Sequence, residues 1–348
     1  MSKSLTRAVL ALLGVCVLLL WSCAKRGAPP GGPVDATAPY VSEILPSSGS
    51  VGVGLDSRIS VTFSESMKRR SVETGVVVSP PCRWKKRYWE KDTYTMVPEA
   101  GLTPNTTYLV SLSNKITDRH GVAMKSTFVS GFSTGDSIDA GIISGKVRWK
   151  KMTVEAALVE LFDAAALDTL EGFVATVPLY VTLSGPGGLY EIPFVDTGLR
   201  YSILALIDED LNSEYDEGED VGCHYDVLSF DGTSELKDVD ITICGDVAGG
   251  SIHGAVDTAT VADTLAIGIV ARSVSDSALV YPISPGADGR FEIECVNPGR
   301  YVMEAFIDLN GNLSRDVEDT ISVELSDTIG VESCSRSPLV EFVFDHED

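Results

Sequence analysis

The chain has 348 residues, 44% of them hydrophobic, with 27 basic against 50 acidic residues and a formal net charge of −23. That length holds two or three domains, each able to bury its own core. The hydrophobic share excludes a disordered acidic tail, and the charge excludes a general nucleic-acid binder.

The first residues carry Lys3 and Arg7, and Ala8 to Leu20 is an uncharged run of 13 residues. This is the layout of a secretory signal, too short to cross a bilayer as a helix. The run ends in Leu20, Trp21, Ser22 and Cys23, which resembles the lipobox of bacterial lipoproteins. The resemblance implies a signal peptide over 1–22 and lipidation of Cys23, where each buried acyl CH₂ contributes about 0.8 kcal/mol of membrane affinity. Residues 23–37, rich in Ala, Gly and Pro and without periodicity, read as a flexible tether. The expected address is the bacterial cell envelope, at the outer membrane or cell surface rather than the inner membrane. In such an oxidising setting Cys82, Cys223, Cys244, Cys295 and Cys334 form an odd set whose connectivity the sequence leaves open.

Charge divides the rest of the chain. Residues 24–151 carry 18 basic and 11 acidic side chains, whereas residues 152–348 carry 7 and 39. Positive charge next to the anchor is favoured beside anionic headgroups or wall polymers by about 1 kcal/mol per residue. The acidic part repels itself unless cations bind.

Over 38–135, alternating segments at 58–63, 94–97 and 107–112 are separated by Gly, Pro, Asn and Asp clusters, the pattern of half-buried strands in a β-sandwich. Five blocks, Ala38 to Val41, Pro46 to Val53, Val61 to Met67, Leu102 to Tyr108 and Asp118 to Gly121, resemble in order the bacterial Ig-like domain of S-layer and other surface proteins. The resemblance implies a spacer or interaction module rather than an enzyme. Within it, residues 82–91 interleave cations with aromatics. Trp84 and Trp89 could stack on sugar faces while Arg83, Lys85, Lys86 and Arg87 pair with anionic groups. Alternatively the lysines guard a sheet edge and the aromatics face the core.

An internal repeat follows, over 141–246 and 249–345. Gly188, Tyr190, Ile192, Val195 and Gly198 match Gly289, Phe291, Ile293, Val296 and Gly299 at an offset of 101. Tyr201, Ile203, Ala205, Ile207 and Asp208 match Tyr301, Met303, Ala305, Ile307 and Asp308 at 100. A fixed offset with one slip in a turn points to two copies of one β-module. The Gly-x-aromatic-x-Ile and Gly-to-Tyr pattern resembles transthyretin-like or carboxypeptidase-regulatory-like (prealbumin-like) modules. Residues 155–170 are compatible with a helix on propensity.

After each Tyr strand comes an acidic loop. Asp208, Asp210, Asn212 and Asp216 stand at its first, third, fifth and ninth positions, with Glu217, Glu219 and Asp220 beyond; Asp308, Asn310, Asn312 and Asp316 repeat the spacing, with Glu318 and Asp319 beyond. Alternate oxygens in a tight loop converge on one point, and Ca²⁺ needs six to eight of them. Neither loop has glycine at its sixth position, and Asp and Asn favour turns without any metal. The first loop, richer in carboxylate, should bind more tightly.

Four histidines in unrelated contexts, and no Cys-x-x-Cys, leave little for a zinc or redox centre. No Gly-x-Ser-x-Gly, His-Glu-x-x-His, phosphate-loop or dinucleotide motif is present, and no catalytic residues are expected. The expectation is an all-β chain of three tandem β-sandwiches, one Ig-like and two transthyretin-like, behind a lipoprotein signal. It would act without catalysis as a membrane-anchored scaffold, spacer or adhesion module, held extended and stiffened by Ca²⁺. The alternative is a lipoprotein that binds glycan or cell-wall polymer. Expected partners are the membrane through the lipid, and an anionic wall polymer, a glycan or another envelope protein, but no nucleic acid.

Overall fold

The first strands show how local sequence sets the packing. Ile59, Val61 and Phe63 alternate with half-exposed Ser60 and Thr62, and the three apolar side chains are buried. On the other face the Ser60 and Thr62 hydroxyls bond across to Thr95 and Thr93, at 3.1 and 3.0 Å, so each face of the ribbon is satisfied. The computed structural model describes residues 35–166, 176–213, 215–216, 218–257, 266–316, 319 and 321–344. The expected signal peptide over 1–22, Cys23 and most of the expected tether lie outside them. Ala38–Asp348 forms one unit and Met1–Thr37 another.

The first group of strands is β1 (Val41–Leu45), β2 (Ile59–Phe63), β3 (Val76–Ser79), β4 (Trp84–Glu90), β5 (Thr93–Pro98), β6 (Thr107–Leu112) and β7 (Phe128–Ser133), with a two-turn helix α1 (Arg69–Gly75) before β3. Sheets β1-β2-β5-β4 and β3-β6-β7 enclose a core that includes Ile59, Val61, Tyr94, Val110 and Phe132. The turn at Asp118 is fixed by its carboxylate, whose Oδ1 accepts the N–H groups of His120 and Val122, both at 2.8 Å, while Gly121 takes φ +90°.

The second group is β8 (Gly141–Trp149), β9 (Met152–Thr153), β10 (Leu158–Asp163), β11 (Tyr180–Leu183), β12 (Leu189–Val195), β13 (Tyr201–Leu206), β14 (Val221–Cys223), β15 (Glu235–Leu236) and β16 (Ile241–Gly245). The third is β17 (Gly250–Asp257), β18 (Ala266–Ser273), β19 (Val280–Ile283), β20 (Arg290–Val296), β21 (Gly299–Asp308), β22 (Ser322–Glu324), β23 (Ile329–Val331) and β24 (Val340–Val343). The two groups pair their strands alike. β8 lies antiparallel to β12 and parallel to β16, as β17 does to β20 and β24. β10 pairs with β11 and β13, and β13 with β14, as β18 pairs with β19 and β21, and β21 with β22.

Details recur as well. Gly188 and Gly289 both take left-handed φ, +73° and +76°, and at Gly188 a Cβ would lie 2.4 Å from the Val147 carbonyl. Tyr201 donates its hydroxyl to the Asp196 carbonyl and Tyr301 to that of Asn297, both at 2.6 Å. Tyr180 and Tyr281 accept the Asp196 and Asn297 N–H groups at 3.2 and 3.1 Å.

The helical reading of 155–170 is overturned over Leu158–Asp163, which is strand β10. Val159 and Leu161 face the inner core while Leu158 and Phe162 join a second cluster outside the sheet. With both faces buried, the segment loses the period-2 signature of a strand. That outer cluster also takes Val77 from β3 and Ala248 from the link to the third group.

Contacts and covalent bonds join the three groups within the one unit. The Ser79 hydroxyl accepts the Val181 N–H at 2.9 Å, and Lys115 pairs with Glu155. Disulfides Cys223–Cys334 and Cys244–Cys295 join the second group to the third, leaving Cys82 as a free thiol.

Candidate metal centre and the basic edge strand

Each acidic loop is organised by its first carboxylate. Asp208 accepts the N–H groups of Asn212 and Ser213, at 3.1 and 2.9 Å. Asp308 accepts those of Gly311, Asn312 and Leu313, at 2.8, 3.2 and 2.9 Å. The third position fastens the fifth. Asp210 and Asn310 accept the Asn212 and Asn312 N–H groups at 3.0 and 3.1 Å, and both asparagine side chains donate to the ninth residue, Asp216 or Asp316.

The structure adds the twelfth position to the set expected from sequence. Glu219 accepts the N–H groups of Glu209 and Asp216 at 2.8 and 3.0 Å, and Asp319 accepts those of Leu309 and Asp316 at 3.0 and 3.1 Å. Only 6% of Glu219 and 1% of Asp319 is exposed. The spacing of both from the opening aspartate was visible in sequence, where they stood as part of a general acidic tail.

The missing sixth-position glycine does not alter the loop. Ser213 and Leu313 take the left-handed conformation there, with φ +65° and +56°, and the fourth residues, Leu211 and Gly311, do the same at +64° and +71°. Such conformations are costly for side-chain-bearing residues and persist only where the surroundings hold them. Oxygens of Asp208, Asp210 and Glu219 lie within 4.8 Å of one another, about the separation that ligands at roughly 2.4 Å from a shared Ca²⁺ would have. Glu217 and Glu318 lie outside the described residues.

The basic segment forms β4, the outer strand of its sheet, with Arg83, Lys85, Lys86 and Arg87 exposed. Its tryptophans do not share an open platform. Trp89 packs on Phe63 and Tyr94, at ring separations of 6.1 and 5.0 Å, beneath the Arg69 guanidinium, and it donates its indole N–H to Glu73 at 3.3 Å. A bulge between Trp84 and Lys86 turns Trp84 against the same core. Burying the rings under the sheet edge and leaving the charges outside is the arrangement that protects an edge strand.

Residues 35–134 match the bacterial Ig-like domain. The first group of strands therefore carries that domain. No curated protein sequence matches the chain. Among solved structures, an L,D-transpeptidase from Mycobacterium smegmatis is similar at 12% identity and a TM-score of 0.22, over 60% of this chain and 90% of that one. The Bacillus anthracis TIE protein is similar at 12% identity and a TM-score of 0.17, over 91% of this chain and 59% of that one. The N-terminal part of the bacterial S-layer protein SbsC is similar at 12% identity and a TM-score of 0.23, over 50% and 42%. Likenesses this distant carry no functional weight. Among the described residues, no helix is long and apolar enough to cross a membrane.

Proposed function

We propose that this chain is a non-enzymatic scaffold of the bacterial cell envelope, anchored through lipidated Cys23 and stiffened by Ca²⁺ in its two acidic loops. The observation that carries this reading is the recurrence of one oxygen-lined loop, down to its backbone bonds, at the same place in two β-modules that disulfides tie together. The bacterial Ig-like domain over 35–134 and the two disulfides support an address outside the cytoplasm. In each loop a cation would neutralise carboxylates gathered in a strongly acidic part of the chain. It would rest on Asp208, Asp210, Asn212, Asp216 and Glu219, or on Asp308, Asn310, Asn312, Asp316 and Asp319.

A thermal melt of the full chain with Ca²⁺ and with chelator tests this. A rise in Tm with Ca²⁺, lost when Asp208→Ala and Asp308→Ala are combined, is expected. An unchanged Tm at millimolar Ca²⁺ leaves the loops as hydrogen-bonded turns and defeats the stiffening role.

The exposed cations Arg83, Lys85, Lys86 and Arg87, on β4 and just before it, favour a second reading, in which this edge rests on an anionic wall polymer or lipid headgroup. Binding to a polyanion that weakens steeply with salt, and is lost on neutralising Arg83, Lys85 and Lys86, would support it.

A further inference from the structure

Where β4 and α1 face the first acidic loop, a cleft of about 540 Å³ opens between the Ig-like sandwich and the sheet of the first repeat copy. That lies within the roughly 300–1,000 Å³ of small-molecule sites. One wall carries Trp84 and Arg87 of β4 with Glu73 of α1, and the opposite wall carries Glu160 of β10 with Asn212 and Ser213 of the loop. Tyr94 also lines it. Its ring is 1% exposed, and no hydrogen bond of good geometry reaches its buried hydroxyl, although the Arg87 guanidinium stands beside it.

This mixture selects among ligands. An apolar occupant would remove water from the exposed Arg87 guanidinium and the half-buried Glu73 carboxylate without replacing their hydrogen bonds. A polyanion would meet Glu73 and Glu160, and a simple cation would meet Arg87. A hydroxyl-rich ring offers donors to Glu73, acceptors to Arg87, and an apolar face to the Trp84 indole. We propose that the cleft is a binding site for a mono- or disaccharide, with Trp84 as its aromatic wall and Arg87 as its principal donor. The cleft shares Asn212 with the first acidic loop, but Trp84, Arg87 and Glu73 lie outside that loop. It shares Arg87 with the exposed charges of β4, but its opposite wall comes from a different domain.

The test is an NMR titration of the full chain, following the Trp84 indole N–H, with Trp149 as the reference. Chitobiose, a glucosamine disaccharide and a uronic-acid disaccharide serve as probes. The expected result is saturable movement of the Trp84 signal with at least one of them, while Trp149 stays still. Arg87→Ala, at an exposed position that does not threaten the fold, should weaken binding at least about tenfold. Thr74→Trp, which fills the cleft from α1, should abolish it. The proposal is overturned if none of the three sugars moves the Trp84 signal at millimolar concentration. It is equally overturned if the movement survives both substitutions in folded protein.

Discussion

The two repeat copies share strand pairing, tyrosine anchors and acidic loops, yet they meet their neighbours with different chemistry at the same point. In each, the strand after the Gly turn is interrupted by a bulge whose residue takes left-handed φ, Phe194 at +61° and Cys295 at +57°. Phe194 lies over Gly131 of β7, so close that a Cβ on that glycine would sit 2.3 Å from the ring. Cys295 bonds to Cys244 of β16. One bulge position thus docks each copy onto the module before it, by apolar packing in the first case and by a covalent bond in the second. The copies also differ in closure. β14 pairs with β16 in the first, joining its sheets into one, whereas β22 and β24 stay in separate sheets in the second. The first copy is clasped from both sides, and its outer sheet face is buried accordingly.

The covalent half of the comparison should dominate stability. Replacing Cys223 and Cys334 by serine, or Cys244 and Cys295, frees chain segments spanning 111 and 51 residues. Each loss should cost about 2–4 kcal/mol, the longer span more, read as the fall in denaturation midpoint under non-reducing conditions. Tyr201→Phe and Tyr301→Phe should come next, at about 1–3 kcal/mol each, since each leaves a carbonyl without its partner. Near-equal values are expected from matching bonds, and a large inequality would show that the copies use their tyrosines differently. Phe194→Ala should cost about 1–2 kcal/mol, less than a fully buried phenylalanine. It should also raise hydrogen exchange in β7 and β12 without affecting β20.

The smallest effect concerns pH at the junction of the copies. Burial, with Glu292 nearby, pushes the Glu294 carboxyl above its ordinary range despite the Thr242 hydroxyl bonded to it. The native state therefore holds this proton to higher pH than the unfolded chain does, and stability falls as pH rises through that window. Glu294→Gln should raise Tm modestly at pH 7, with the gain vanishing near pH 4. A gain that persists in acid would trace to something other than the charge.

Much of this was legible in the sequence, for identifiable reasons. The Gly188 and Gly289 match, with the slip before Tyr201 and Tyr301, exposed the repeat because turn and anchor residues cannot be exchanged without losing a left-handed turn or a buried hydroxyl bond. The acidic loops were legible through their alternate spacing, but Glu219 and Asp319 were hidden by the surrounding carboxylates. Strand β10 was not legible, because two buried faces erase alternation. That the aromatics of residues 82–91 face the core was one of two open readings, and only tertiary contacts such as those of Trp89 with Phe63 and Tyr94 decide between them. The interlocking of the modules left no periodic trace, since it rests on single residues such as Phe194, Gly131 and Cys295.

Peptide mapping of the unreduced chain by mass spectrometry bears most directly on whether the modules form one braced unit. The expected fragments link Cys223 to Cys334 and Cys244 to Cys295, with Cys82 free. Links of Cys223 to Cys244 and of Cys295 to Cys334 would close each copy on itself, and would contradict the braced scaffold in favour of independent beads.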